Sequence, residues 1–252
     1  MTNRYGLIGF PLGHSFSKKY FTNKFLNQSI EAVYDLFPLE DVSQLHTILK
    51  EFPDLRGLNV TIPHKQKVIP LLDSISGEAA KINAVNTIRV SRVNGKPFLE
   101  GYNTDAPAFE AELLEFTDGI ENKAVEFALI LGTGGASAAV AYVLDKLEWE
   151  YQFVSRNANK NNTITYADLS ESIVSRSKLI INCTPLGMHP DIETLPQIPY
   201  SAVTPEHYLF DLVYNPELTA FLIKGKQQGA HTQNGLGMLH RQAELAWDIW
   251  QK

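Results

Sequence analysis

The chain has 252 residues, a net charge of −6, 44% hydrophobic residues and one cysteine, Cys183. That length holds one large domain or two modest ones. The acidic balance argues against a nucleic-acid surface, and a lone cysteine excludes an intrachain disulfide or a thiolate metal cluster.

Arg4 to Gly9 reads as a short apolar strand ending in the loop Phe10-Pro11-Leu12-Gly13-His14-Ser15-Phe16-Ser17. Ser17 is expected to cap a helix over Lys18 to Leu26, whose apolar residues recur at helical spacing. Ser15 and Ser17 lie two apart, so both hydroxyls are able to face one side of an extended segment; the other reading is that they satisfy turn and cap groups. Ala32 to Phe37 reads as a strand, Glu40 to Phe52 as an amphipathic helix with Val42, Leu45, Ile48 and Leu49 inward, and Leu55 to Thr61 as a third strand. Strand-helix-strand order implies parallel pairing.

Asn59-Val60-Thr61-Ile62-Pro63-His64-Lys65 leaves that strand with Asn59 and Thr61 on one face. Pro63 stops the ladder, and Lys65 opens a helical stretch, Gln66 to Leu72. Ligands bind at strand C-ends in open α/β sheets. A lysine there is either a tuned acid/base group or a solvated cation. Ser76 to Ile82 is a short helix, and Ala84 to Val90 a strand. Val93-Asn94-Gly95-Lys96 is a type I′ hairpin turn. The return strand ends in Gly101-Tyr102-Asn103-Thr104-Asp105, before a helix over Ala108 to Phe116. Asp105 is then either a cap carboxylate or a catalytic acid. Thr117 to Lys123 is polar and turn-rich, as a linker would be.

Phe127-Ala128-Leu129-Ile130-Leu131 reads as a buried parallel strand running into Gly132-Thr133-Gly134-Gly135-Ala136 and an alanine-rich helix. Gly132 permits the tight turn, and Gly134 lets backbone N–H groups approach a phosphate at the helix N-terminus. Ser137 stands where the third glycine of the dinucleotide motif falls, so the match is partial; a ligand-free strand-turn-helix is the alternative. The strand Tyr151 to Val154 leads to Ser155-Arg156-Asn157 and Lys160, with no acid before Asp168. An acid there would bond the ribose of NAD. Arg156, with Lys160, suits the 2′-phosphate of NADP instead. Leu179 to Asn182 is another buried strand, followed by Cys183-Thr184-Pro185-Leu186-Gly187-Met188. Cys183 is read as a packed residue, not a nucleophile. Leu209 to Val213 is a strand that exits through Tyr214-Asn215-Pro216. Glu217 to Gln228 is a helix, and a last helix opens in Asn234-Gly235-Leu236-Gly237-Met238 with Leu245, Ala246, Ile249 and Trp250 inward. No spacing of histidines or carboxylates suggests a metal site.

Seven stretches taken together resemble the shikimate dehydrogenase family: Gly13 to Ser17, Asn59 to Lys65, Ala84 to Thr87, Gly101 to Asp105, Gly132 to Ala136, Asn182 to Met188 and Gly237 to Ala243. They come in the family's order and span nearly the whole chain. The resemblance implies an α/β protein of two domains. Residues 1–105 plus 237–252 would form the substrate domain, and 106–236 a Rossmann-like NADP domain. The implied reaction is reversible NADPH-dependent reduction of 3-dehydroshikimate to shikimate, in aromatic amino-acid biosynthesis. Lys65 and Asp105 would form the catalytic pair. Ser15 and Ser17 would bind the substrate carboxylate, and Asn59, Thr61, Asn86, Tyr214 and Gln242 the rest of the substrate. Gly132, Thr133, Gly134, Gly135 and Ala136 would hold the pyrophosphate, and Ser155, Arg156 and Lys160 the adenosine 2′-phosphate end. Thr184, Met188, Val213, Gly235 and Met238 would surround the nicotinamide. Two departures stand out: Asn83 where glycine is common, expected to preserve a left-handed turn, and Thr133 where alanine is usual. The nearest rival is the sister quinate/shikimate dehydrogenase type. The expected partners are small molecules only, with no nucleic acid or membrane, in a cytoplasmic monomer or homodimer.

Overall fold

The computed structural model describes residues 2–13, 15–118, 120, 126–158 and 161–252. His14, Lys160 and most of the expected linker up to Lys123 lie outside them. The chain forms two compact units, Met1–Thr104 with Gln242–Lys252, and Asp105–Arg241. Asp105 and residues 237–241, expected with the substrate domain, belong to the second unit.

In the first unit β1 (Asn3–Gly9), β2 (Ala32–Pro38), β3 (Leu55–Val60), β4 (Ser74–Ile75), β5 (Thr87–Val93) and β6 (Lys96–Tyr102) form one sheet, in the order β2-β1-β3-β5-β6-β4. The first three strands pair in parallel; β5 pairs antiparallel with both β3 and β6. The β5–β6 turn has positive φ at both Asn94 and Gly95, as the type I′ hairpin requires. Asn83 ends α3 (Gly77–Ile82) in the left-handed region, as expected.

Several helix boundaries differ from the periodicity. The first helix, α1, runs Phe16–Asn27, and its cap is Ser15, not Ser17; the Ser15 hydroxyl accepts from the Lys18 N–H at 3.3 Å. Ser17 therefore lies inside the first turn, and the two serines do not share an extended segment. The expected helix from Glu40 is a 3₁₀ turn, Val42–Gln44, capped by Asp41, followed by α2 (Leu45–Glu51). Of the stretch 66–72, only Ile69–Leu71 is helical, as a 3₁₀ turn around Pro70. Proline at its second position removes an N–H that a longer α-helix would use.

Two cores sandwich this sheet. Ile8, Leu55, Leu58 and Ile88 pack with α2 residues Leu45, Ile48 and Leu49. Tyr5, Phe21, Phe25 and Tyr34 pack with Ala243, Ala246 and Trp250 of the last helix, α8 (Leu236–Trp250). Of the expected apolar side, Ala246 and Trp250 are buried, Leu245 and Ile249 are half-buried, and Ile249 packs against this core. The Trp250 indole stacks on Tyr5 at 4.9 Å and donates its N–H to the Ile88 carbonyl at 3.0 Å.

The second unit opens with α4 (Asp105–Phe116) and holds a second six-stranded sheet. Its strands are β7 (Phe127–Leu131), β8 (Glu150–Ser155), β9 (Thr163–Thr165), β10 (Ser177–Asn182), β11 (Tyr208–Asp211) and β12 (His231–Asn234). Their order is β12-β11-β10-β7-β8-β9, and every pairing is parallel. This is the doubly wound arrangement, whose strand order reverses between β7 and β10. The helices are α5 (Gly135–Lys146), α6 (Glu171–Arg176) and α7 (Ala220–Gln227). The last starts later than Glu217, because Thr219 caps it by accepting from the Leu222 N–H.

Candidate active site

In the first unit, motif residues distant in sequence meet at the ends of β3 and β5. Lys65 accepts at its carbonyl from the Val85 N–H at 2.8 Å, which fixes the lysine segment beside Asn86. Asn86 is 3% exposed. Its Oδ1 accepts from the Thr104 N–H at 2.8 Å, and its Nδ2 donates to the Thr104 hydroxyl at 2.9 Å. Thr104 immediately precedes Asp105, itself buried in the first turn of α4. The Asn86 side chain thus fixes Thr104, the last residue of the first unit before that carboxylate. Asn59 donates to the Asn86 carbonyl and to the Thr87 hydroxyl, both at 3.4 Å.

The network continues toward the serines. The buried Tyr34 hydroxyl donates to Asn59 Oδ1 at 2.8 Å, and Ser17 stands near it. Burial pushes the Tyr34 phenol well above its ordinary range. One chain of polar groups therefore joins Tyr34, Asn59 and Asn86, with Ser17 beside Tyr34. Ser15 stands apart as the α1 cap; its oxygen accepts, so its O–H remains a donor of the kind a carboxylate needs. Thr61 and Gln242 are half-buried in this unit. Tyr34, Thr87 and Thr104 were not assigned binding or positioning roles from sequence. Tyr34 sits in a strand as an ordinary β-forming residue, and only the fold reveals its partners.

The second unit carries the glycine turn at its switch point. Gly132 has φ +104°, and a side chain there would press on Thr184 and Cys183. The β7 and β10 exits are therefore neighbours. Gly134 leads into α5 with no side-chain cap, and a Cβ added to it would meet nothing within 4 Å. Ser137 donates its hydroxyl back to the Gly134 carbonyl at 2.6 Å, so it does not cap the helix either. Uncapped N–H groups and an open approach fit the pyrophosphate of a dinucleotide. Ser155 ends β8, and Arg156 follows it, exposed; no acid follows in the sequence before Asp168, which fits a 2′-phosphate. The Tyr166 hydroxyl is buried with no hydrogen-bond partner among the described residues, and burial pushes its phenol up to about 12 against the smaller opposing pull of the Arg156 charge.

The expected nicotinamide residues cluster in part. Thr184 donates to Asn182 Oδ1, and the Val213 N–H donates to Asp211. Gly235 donates to the Val213 carbonyl at 3.2 Å, and its Cα lies too close to Leu212 for any side chain. Met238 is buried, whereas Met188 is exposed. Tyr214 is half-buried, and burial raises its phenol pKa. Burial also pushes the Cys183 thiol up, with the Asp211 charge adding to the effect. A thiolate nucleophile is thus disfavoured. Among the described residues, no cluster of histidine, cysteine or carboxylate side chains is arranged to hold a metal, and no helix is long and apolar enough to cross a membrane.

One unit with a doubly wound sheet and a glycine turn at its switch point, and another, mixed α/β, with a buried polar network, fit the class of dinucleotide-dependent oxidoreductases. Residues 7–88 match the shikimate dehydrogenase substrate binding domain. The shikimate dehydrogenase (NADP(+)) of Carboxydothermus hydrogenoformans is 38% identical, over 97% of this chain and 90% of that protein. That of Desulforamulus reducens is 36% identical, over 97% and 88%. The Thermus thermophilus shikimate 5-dehydrogenase, solved in complex with NADP(H) and shikimate, is 32% identical over 98% of this chain and 93% of that chain, with a TM-score of 0.82. This chain belongs to the shikimate dehydrogenase family. It is an NADP-dependent oxidoreductase that acts on a CH–OH group.

Proposed function

We propose that the chain reduces 3-dehydroshikimate reversibly to shikimate, with the motif residues in the roles the family resemblance implies. The observation that carries this assignment is the convergence of Lys65, Val85-Asn86 and Thr104 in the first unit, because it gathers three separate motif stretches around one buried asparagine. NADPH, when bound, supplies the hydride. The carbonyl oxygen then gains negative charge and needs a proton. The Lys65 ammonium polarises that oxygen and delivers the proton. Asp105 orients the ammonium and accepts a hydrogen bond from the new hydroxyl.

Ser15 and Ser17 donate to the substrate carboxylate. Asn59, Thr61, Asn86, Tyr214 and Gln242 bond its hydroxyls and carboxylate. Gly132 to Ala136 receive the pyrophosphate, and Ser155, Arg156 and Lys160 the 2′-phosphate end. Thr184, Met188, Val213, Gly235 and Met238 surround the nicotinamide. The two units serve as substrate domain and NADP domain. The single cysteine and the acidic charge support a cytoplasmic protein whose ligands are small molecules, acting as a monomer or homodimer.

The test is NADPH oxidation by the full chain with 3-dehydroshikimate, beside the reverse reaction with quinate. Fast turnover of the first pair with little quinate activity is expected; comparable quinate rates would move the chain to the sister type. Lys65→Ala should lower kcat by about 10²–10⁴-fold while shikimate binding changes less than about tenfold. Near-normal turnover in that variant would remove Lys65 from the mechanism.

A further inference from the structure

Asn182 and Asp211 end β10 and β11 as register partners, and both are fully buried. A carboxylate in such a place is unfavourable unless several donors surround it, and apolar residues of similar volume would avoid that cost. Three donors are present. Asp211 Oδ1 accepts from Asn182 Nδ2 at 2.9 Å and from the Val213 N–H at 3.0 Å. Its Oδ2 accepts from the Thr219 hydroxyl at 2.5 Å.

Asn182 carries the connection onward. Its Oδ1 accepts from the Thr184 N–H at 3.0 Å and from the Thr184 hydroxyl at 2.6 Å, and its Nδ2 also reaches the Leu186 carbonyl at 3.4 Å. One buried carboxylate therefore ties together the loop after β10, the residue after β11 and the cap of α7. No side-chain hydrogen bond described for either residue reaches the glycine turn or Arg156.

We propose that Asp211, acting through Asn182, is a positioning residue for the nicotinamide end of the cofactor and leaves the adenosine 2′-phosphate end untouched. This rests on the reading that Thr184, Met188 and Val213 face the nicotinamide. A side chain that shapes only those loops changes affinity for the whole cofactor and not for a fragment that lacks the nicotinamide. A residue needed merely for the stability of the unit would alter both.

The experiment measures dissociation constants of the full-length protein for NADPH and for adenosine 2′,5′-bisphosphate by fluorescence titration. Asp211→Ala should weaken NADPH about tenfold or more and change the bisphosphate by less than about threefold, the scale of one or two buried hydrogen bonds. Asp211→Asn still accepts from Asn182 and Val213 and offers an N–H to the Thr219 oxygen, so it should restore NADPH affinity to within about threefold. Asn182→Ala severs the Thr184 and Leu186 branch and removes one of the three donors to Asp211, leaving those of Val213 and Thr219. It should reproduce the same split, and it carries the test if Asp211→Ala does not fold. Met188→Ala is run alongside. If Met188→Ala separates the two ligands while Asp211→Ala and Asn182→Ala bind both normally or weaken both equally, the inference is overturned and the loop reading stands. If none of the three variants separates them, both are overturned.

Discussion

Asn86→Ala tests whether the buried polar network is an interlocking unit. The substitution strands the Thr104 N–H, which is 1% exposed and has Asn86 Oδ1 as its acceptor. An unpaired buried donor costs about 1–3 kcal/mol. The Thr87 and Thr104 hydroxyls also lose Asn86, but they lie 3.4 Å apart and are able to bond each other. Their contribution to the loss is therefore small. The vacated amide volume adds roughly 1 kcal/mol, which brings the total to about 2–4 kcal/mol.

Urea unfolding reads this directly. With a slope of roughly 2 kcal/mol per molar, the midpoint of the first unit should fall by about 1–2 M. The chain has three tryptophans. Trp247 and Trp250 report the first unit, so a Trp149→Phe background isolates its transition. Thr87→Val removes one hydroxyl and leaves the Thr104 N–H bonded, so it should cost only about 1 kcal/mol. An Asn86→Ala midpoint within a few tenths of molar of wild type, or equal to that of Thr87→Val, would refute the accounting.

Three other outcomes are expected. A methyl at Gly57 falls inside the Trp250 ring, so Gly57→Ala should destabilise the first unit by about 1–3 kcal/mol, seen as a lower melting temperature; an unchanged one would show that the last helix yields freely. Arg156→Asp should weaken NADPH far more than NADH, and equal effects in paired titrations would end the 2′-phosphate assignment. Burial pushes Asp211 from its ordinary value of 3.8 up to about 6, against the pull of its three donors. The folded state therefore holds that proton more tightly than the unfolded chain. Its stabilisation is present at low pH and is lost as pH rises toward 6. Measured against the non-titrating Asp211→Asn, wild type should gain about 2 kcal/mol between about pH 7.5 and about pH 4.5; a flat difference would mean that Asp211 titrates normally.

Much of this protein was legible in its sequence, for physical reasons. The run Phe127 to Leu131 had to be a buried strand, because nothing polar interrupts it and glycines follow at once. Asn94-Gly95 specified its hairpin through backbone conformation alone, and Asn83 likewise held a left-handed turn. Helix ends were less legible. Ser15 and Ser17 are chemically equivalent caps, and the choice between them depends on where the chain leaves its extended conformation, which is at Ser15.

The site divides along the same line. The chemistry at strand ends was readable one motif at a time, because lysine, aspartate and glycine turns carry their functions locally. What joins the motifs was not. Tyr34 meets Asn59 across 25 positions, and Asn182 meets Asp211 across 29. Neither pair has a periodicity or spacing that would announce it. Only tertiary structure decides which buried polar groups find partners, because residues tens of positions apart meet only once the sheets form: Tyr34 on β2 reaches past β1 to Asn59 on β3, and Asn182 and Asp211 come level at the ends of β10 and β11.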